Sequence, residues 1–326
     1  MRPRAEVPAP DVAQGDSVIV TLTPNTGLDR VIFLPRFEWG QTLRATDSTL
    51  AMGGKGTDVS MVLAALGHPS LALGFTAGET GQRMVRLLEE QGVRCDFVWA
   101  EGETRTNYVL IDTDRGQQST ITVAGLLVRP VHVDALRARL REHLPRASCL
   151  VLGGSLPQGV ELELYRDLIA DAKATGVPTL FDASGPGLKA GAQALPTLLK
   201  LNRTELEQLA GHPLSTSEEV RCASREWVAR GVERVVATAG RQGAWAFSAS
   251  EEYFIPPLPI EPLNTAGAGD GLMAGLAVGL AEGWSWVEAL RLGTAAAAAV
   301  CLTPGTAQCH RGDVKRLLPQ VQAIPM

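Results

Sequence analysis

The sequence predicts an α/β protein built on one doubly wound, mainly parallel sheet with a small β-sheet lid, and three observations carry that expectation. Short β-like runs alternate with amphipathic helical stretches, two glycine-rich turns each lead into an apolar helix, and two segments break the alternation with strand-like pieces that no helix separates. The first strand is expected at 17–22, then a helix at 59–66, a strand at 71–75 and a helix at 80–91. The later half repeats the pattern, with a strand at 149–152, a helix at 162–174, strands at 179–182 and 198–202, a helix at 204–209 and a strand at 235–238. The breaks fall at 31–51 and 98–123, where pieces such as 107–112 and 120–123 suit a small antiparallel lid. Gly185-Pro186-Gly187 and the prolines at 256, 257, 259 and 262 mark loops, not domain linkers. Residues 17–326 therefore read as one domain. Residues 1–16, rich in Pro and Ala with alternating charges and no apolar signal-peptide core, read as a flexible tail.

Bulk composition narrows the function classes. With 326 residues and 45% apolar content the chain can bury a sizeable core. Its net charge of −5, with no Lys- or Arg-rich stripe, argues against a sequence-independent nucleic-acid binder, so basic residues that bind phosphate must be local. The alanine run at 295–300 is too short for a membrane span and follows Arg291, which suits a buried helix. Cys95, Cys149, Cys222, Cys301 and Cys309 show no CxxC spacing, which fits reduced thiols in a cytoplasmic enzyme and no cysteine-bound metal. The histidines are scattered.

The chemistry concentrates in Asn264-Thr265-Ala266-Gly267-Ala268-Gly269-Asp270-Gly271, which runs into the apolar stretch 272–280. Gly267, Ala268 and Gly269 leave backbone N–H groups uncovered at a helix start, a ready site for phosphate. Asp270 beside that turn can accept the proton of an attacking hydroxyl, as phosphoryl transfer to an alcohol requires, or it can serve as a helix cap. A second cluster, Gly53-Gly54-Lys55-Gly56-Thr57-Asp58-Val59-Ser60, also leads into an apolar helix, and two such clusters suggest two ligands. No GxxxxGK[ST] stretch, no HRD or DFG pair and no GxGxxG after the first strand is present, which disfavours P-loop kinases, protein kinases and Rossmann dehydrogenases.

These two clusters resemble the GGKGxNxA and GAGD signatures of the ribokinase-like, or PfkB, carbohydrate kinases. Five further segments follow in the family's order: 23–29 (TPNTGLD), 104–107 (TRTN), 153–159 (GGSLPQG), 200–205 (KLNRTE) and 238–244 (TAGRQGA). Together they point to the phosphosugar branch, which holds 1-phosphofructokinase, tagatose-6-phosphate kinase and the minor 6-phosphofructokinase. The resemblance implies an ATP- and Mg²⁺-dependent kinase making a sugar bisphosphate from a phosphorylated ketohexose. Fructose 1-phosphate is the first choice, with tagatose 6-phosphate and fructose 6-phosphate close behind; a kinase of an unphosphorylated sugar or nucleoside is the runner-up among enzymes, and a catalytically weak sugar-responsive binding protein is the reading from another class. It also implies a lid that excludes water and pairs with the lid of a second subunit to make a homodimer.

Carried onto this sequence, the resemblance makes Asp270 the base, with Gly267, Ala268 and Gly269 and the amide of Ala266 holding the transferring charge. Asp29, in the loop after the first strand, would accept hydrogen bonds from sugar hydroxyls, Gly53 and Gly54 would let backbone approach the sugar, and Lys55 would meet an anionic group. Arg105 and Arg44 would fork onto the substrate phosphate, with Asn107 and Ser155 assisting. On the nucleotide side, Lys200, Asn202 and Glu205 match KPNxxE with Leu201 in place of proline. Asn202 and Glu205 would hold Mg²⁺ through water, or would simply cap a helix. Thr238, Gly240 and Gly243 match the turn that contacts ATP phosphates. Asp58 departs from the pattern, which has Asn there. An ionised Asp58 could only accept hydrogen bonds and would repel a substrate phosphate.

Overall fold

The computed structural model of the protein describes residues 17–326; the expected tail at 1–16 lies outside the described residues. In chain order the elements are β1 (Val18–Thr23), β2 (Gly27–Leu34), β3 (Asp47–Gly53), α1 (Lys55–Leu66), β4 (Ser70–Thr76), α2 (Gly78–Glu90), β5 (Arg94–Trp99), β6 (Arg105–Asp112) and β7 (Gln117–Ile121). There follow α3 (Pro130–His143), β8 (Ala147–Gly154), α4 (Leu164–Ala174), β9 (Thr179–Ala183), α5 (Gly187–Gln193), β10 (Leu198–Asn202), α6 (Arg203–Ala210), α7 (Ser217–Ala229) and β11 (Arg234–Thr238). The chain closes with β12 (Ala244–Ser248), β13 (Glu252–Ile255), α8 (Ala268–Ala281), α9 (Trp286–Cys301), α10 (Arg311–Leu317) and β14 (Ile324–Pro325).

The large sheet runs in the order β14-β13-β12-β11-β10-β9-β8-β1-β4-β5. From β5 to β11 every pairing is parallel, and β12, β13 and β14 add an antiparallel edge. The central strands are buried throughout because both faces are covered, and alternate side chains feed two cores. Val18, Val20, Leu22, Leu150, Leu152 and Phe181 pack with α3 and α4 on one face; Ile19, Cys149, Val151 and Leu180 pack with α1, α8 and α9 on the other. Small residues let α8 and α9 approach closely, since a Cβ at Gly275 would stand 2.3 Å from the Gly293 nitrogen.

The small sheet, ordered β3-β2-β6-β7, corrects the expectation in two ways. It is mixed, because β2 pairs parallel to β6 between two antiparallel pairings. Its strands also start earlier: β2 begins at Gly27, so Asp29 lies within a strand instead of a loop, and 94–99 belongs to the large sheet as β5. The alternation of the lid strands turns Asp29, Val31, Asn107, Val109 and Ile111 inward, where Val31, Val109 and Ile111 form a small core with Phe33 and Ala266. Helix α5 starts at Gly187, directly after the Gly185-Pro186 turn, where only a loop was expected. No helix among the described residues is long and apolar enough to cross a membrane.

Candidate active site

Parallel strands of one sheet deliver their carboxyl ends to a common edge, and ligands of such folds bind there. Asp182 at the end of β9, Lys200 and Asn202 at the end of β10 and Thr238 at the end of β11 reach it from one side. The first turns of α1 and α8, which pack against each other, bring Lys55, Asp58 and Asp270. The lid covers the assembly with Asp29, Arg105 and Asn107.

The turn before α8 is built for an anion. Gly267 caps the helix with φ of 83°, and a Cβ there would lie 2.3 Å from the Ala307 nitrogen, so only glycine fits. Among the described residues the amides of Gly267 and Gly269 donate to no protein acceptor. The Ala266 amide is different: it donates to Asn264 Oδ1 at 2.9 Å, so the expectation that it helps hold the transferring charge is withdrawn. Gln118 of β7 accepts from both the nitrogen and Oγ1 of Thr265 at 3.1 Å, which ties the lid to this turn.

Asp270 is 8% exposed and its Oδ1 has no partner. Burial pushes its carboxyl up to about 7; Lys55 and Lys200 pull it down, and Asp182 and Asp29 push it up. A carboxyl poised near neutrality takes a proton readily and is not serving as a side-chain cap, for α8 has none.

A sequence reading misses Asp182. It joins two lysines, accepting from Lys55 Nζ at Oδ1 and from Lys200 Nζ at Oδ2 over 2.5 Å. Burial opposes its ionisation, yet Lys200 and Lys55 hold it below the ordinary aspartate range. The available signal was an acid at the carboxyl end of an apolar strand. The anionic groups that Lys55 meets in this chain are carboxylates: its ammonium is bound by Asp182 and lies 3.7 Å from Glu205 Oε1, and these acids keep its proton against the pull of burial. Asn202 and Glu205 form a capping box, Asn202 Oδ1 accepting from the Glu205 nitrogen at 2.9 Å and Glu205 Oε2 from the Asn202 nitrogen at 2.8 Å. Glu205 Oε1 stays free of that box. Gly240 and Gly243, with φ of 54° and 91°, shape the turn that follows Thr238.

The lid side is less complete. Asp29 accepts from Asn107 Nδ2 at 2.9 Å and from Thr306 Oγ1 at 3.0 Å, and burial raises its carboxyl despite those bonds. Gly53 has to be glycine because a Cβ would stand 2.5 Å from Asp29 Oδ1, and Gly54 begins α1 with φ of 108°. Arg105 spends Nη2 on the Asn25 carbonyl at 3.1 Å, and Asn25 Nδ2 donates to Ser155 Oγ at 3.1 Å. Among the described residues five buried polar atoms here lack a partner: Asn25 Oδ1, Asp58 Oδ1, Arg105 Nε, Asn107 Oδ1 and Asp270 Oδ1. Arg44 is not brought to this group within one chain; it is exposed on the β2–β3 loop beside a surface hollow with Pro35, Arg36, Thr42 and Leu43.

Asp58 is 4% exposed in the first turn of α1. Burial, Asp270 and Asp29 raise its carboxyl well above the usual range, against weaker pulls from Lys55 and Arg105. The helix N-terminus favours the anion by roughly 0.3–2 kcal/mol, less than the several kcal/mol that desolvating a carboxylate entails. Burial and the two neighbouring acids thus work against the ionised, accept-only Asp58 expected from sequence.

Residues 26–311 match the sequence profile of the pfkB family carbohydrate kinases. The chain belongs to that family. Among its relatives is the ATP-dependent 6-phosphofructokinase isozyme 2 of Mycobacterium tuberculosis, 32% identical over 304 residues, covering 93% of this chain and 89% of the relative. The 1-phosphofructokinase of Xanthomonas campestris is 31% identical over 306 residues, covering 92% and 94%. The crystal structure of Escherichia coli phosphofructokinase-2 in complex with potassium superposes with a TM-score of 0.86 at 32% identity, covering 93% of this chain and 99% of that one. The chain is therefore a carbohydrate kinase with the ribokinase-like fold. Thr306 and Asn25 escape sequence reasoning because only the fold joins them to the sugar side, Thr306 across 277 residues from Asp29.

Proposed function

We propose that this kinase transfers the γ-phosphoryl group of ATP to a free hydroxyl of a phosphorylated ketohexose, most directly fructose 1-phosphate to fructose 1,6-bisphosphate. Fructose 6-phosphate and tagatose 6-phosphate are the alternative acceptors. The observation that carries the reading is the set of unpaired buried polar atoms under the lid. Buried groups of that kind are ordinarily satisfied, so a polar ligand completes them. Arg105, with Nε free, supplies the charged fork for a substrate phosphate, and Asn107 and Ser155 flank it. Asp29, with Gly53 allowing close approach, meets the sugar hydroxyls.

Asp270 takes the proton from the attacking hydroxyl as its oxygen bonds to the γ-phosphorus and the bond to the bridging oxygen of ADP breaks. The free amides of Gly267 and Gly269, with Ala268 between them, face the charge that spreads over the transferring group. Lys200, Thr238, Gly240 and Gly243 line the nucleotide side, and Lys55 joins them through Asp182. Glu205 Oε1, free of the capping box and beside Asn202, suits an ion held through its waters, since Mg²⁺ takes few protein ligands. Mg²⁺ at Asn202 and Glu205 would offset charge on the ATP phosphates. Two chains would pair through the outer faces of their lids, where Tyr108 and Ile121 sit opposite one another and are 41% and 49% exposed.

A coupled ADP-release assay over fructose 1-phosphate, fructose 6-phosphate, tagatose 6-phosphate, fructose and ribose tests this. The expected result is turnover with a ketohexose phosphate far above that with fructose or ribose. Fastest turnover on an unphosphorylated sugar would overturn the phosphosugar assignment.

A further inference from the structure

The first turns of α1 and α8 place two buried carboxyls, Asp58 and Asp270, near one another, with Asp29 of β2 as a third. The charged groups around Asp58 are Asp270 from α8, Asp29 from β2, Arg105 from β6 and Lys55 from its own helix. Asp182 and Glu205 add two further acids beyond Lys55. Five acids thus face three cations, Lys55, Lys200 and Arg105, and Asp182 already lies between both lysines. With all five acids buried, full ionisation of such a cluster is opposed by desolvation and by mutual repulsion. The proton has to rest on the acid with least cationic support. Asp270 has Lys55 and Lys200 near it and Asp29 accepts two hydrogen bonds, whereas around Asp58 the acids Asp270 and Asp29 outweigh Lys55 and Arg105, and its buried Oδ1, like that of Asp270, has no partner among the described residues.

We propose that Asp58 works as a neutral carboxylic acid that donates a hydrogen bond to the acceptor sugar, so that of the two acids at the helix starts it is Asp270 that is left to take the proton of the attacking hydroxyl. A protonated carboxyl offers one O–H donor and one carbonyl acceptor, the same pair that a side-chain amide offers. Asp58 is then a specificity-determining residue whose contribution ends when it ionises. The inference deepens the phosphosugar reading and rests on it for the identity of the acceptor.

Two measurements on the full chain test it. In the first, kcat/KM and the KM of the best acceptor are followed against pH for the wild type and Asp58→Asn, a permanent donor. The expected wild-type KM climbs about tenfold per pH unit beyond an alkaline inflexion, and in Asp58→Asn that climb is gone. The acid limb assigned to Asp270 stays where it is, because a neutral group has replaced a neutral group. An acid limb that moves to lower pH in Asp58→Asn would show that a negative charge had been removed, and with it the proposal falls. A KM climb that persists in the variant overturns it equally. Should Asp58→Asn melt early, Asp58→Ser, smaller and still a hydroxyl donor, takes its place with the same expectations.

The second measurement needs no sugar. At neutral pH the wild-type-minus-variant infrared difference for the ligand-free protein is expected to show the carbonyl band of one protonated carboxyl, lost on substitution, over the band that the raised Asp270 carboxyl gives in both proteins. No band lost on substitution overturns the proposal. If every acceptor assayed proves to be unphosphorylated, the band still decides the state of Asp58, so failure of the phosphosugar reading and failure of this one are told apart.

Discussion

The two halves of the site differ in how far the protein completes them by itself. On the nucleotide side Lys55 and Lys200 close on Asp182, and Asn202 and Glu205 close on each other. On the sugar side Asn25, Asp58, Arg105, Asn107 and Asp270 each keep a buried polar atom unpaired. Unpaired buried groups are destabilising by about 1–3 kcal/mol each, so the sugar side stores stability that a polar ligand returns on binding. In the proposed reading the nucleotide side is the half whose charged groups the protein pairs by itself, and the sugar side is the half left for a ligand to complete.

The largest expected effect is at the junction of the halves. Asp270→Asn should lower turnover by ~10²–10⁴-fold, because it removes the proton acceptor alone. Its melting point should be no lower than wild type, since Oδ1 has no bond to lose. In wild type kcat/KM should fall about tenfold per pH unit below about 7, where the raised Asp270 carboxyl gains its proton and ceases to be a base. That acid limb should vanish in the variant. Activity near wild type would exclude Asp270 as the base.

Next in size is the nucleotide side itself. Asp182→Ala leaves two lysines facing each other without their shared carboxylate, and breaking a buried pair in this way costs about 3–5 kcal/mol. Urea unfolding should show it as an early midpoint, whereas changes to the unpaired sugar-side atoms should not. An Asp182 variant as stable as wild type would erase the distinction between the halves. The smallest effect is expected at Arg44. Exposed on its loop, Arg44→Ala should change the KM for phosphosugar and the stability within roughly 0.5 kcal/mol. A loss as large as that at Arg105 would sharpen the comparison differently, by showing that a closed lid or a second chain delivers Arg44 to the site.

Much of this was legible in the chain. Alternating elements announced the parallel sheet, and the runs before α1 and α8 announced both anion-facing turns, because glycine spacing and apolar helix starts are local properties. The antiparallel edge of β12 to β14 and the parallel β2–β6 pairing were not legible, since register between distant strands leaves no local trace. Asp182 and Thr306 were missed for the same reason, whereas Lys55 and Asp58 were found without the acids that stand beside them. Their chemistry is set by which carboxylates stand beside them, and only the packing of α1 against α8 and β9 under the lid decides that.

The central claim, that the open half of the site is completed by a phosphorylated sugar, is tested most directly at Arg105. The measurement is the ratio of kcat/KM for fructose 1-phosphate to that for fructose, in wild type and in Arg105→Ala. Losing a charged hydrogen-bonding group should weaken the phosphosugar by about 1.5–3 kcal/mol and leave fructose and ATP nearly untouched, so the ratio should collapse by ~10–150-fold. A ratio that survives the substitution would contradict the account and return Arg105 to a purely structural role, holding the Asn25 carbonyl beneath the lid.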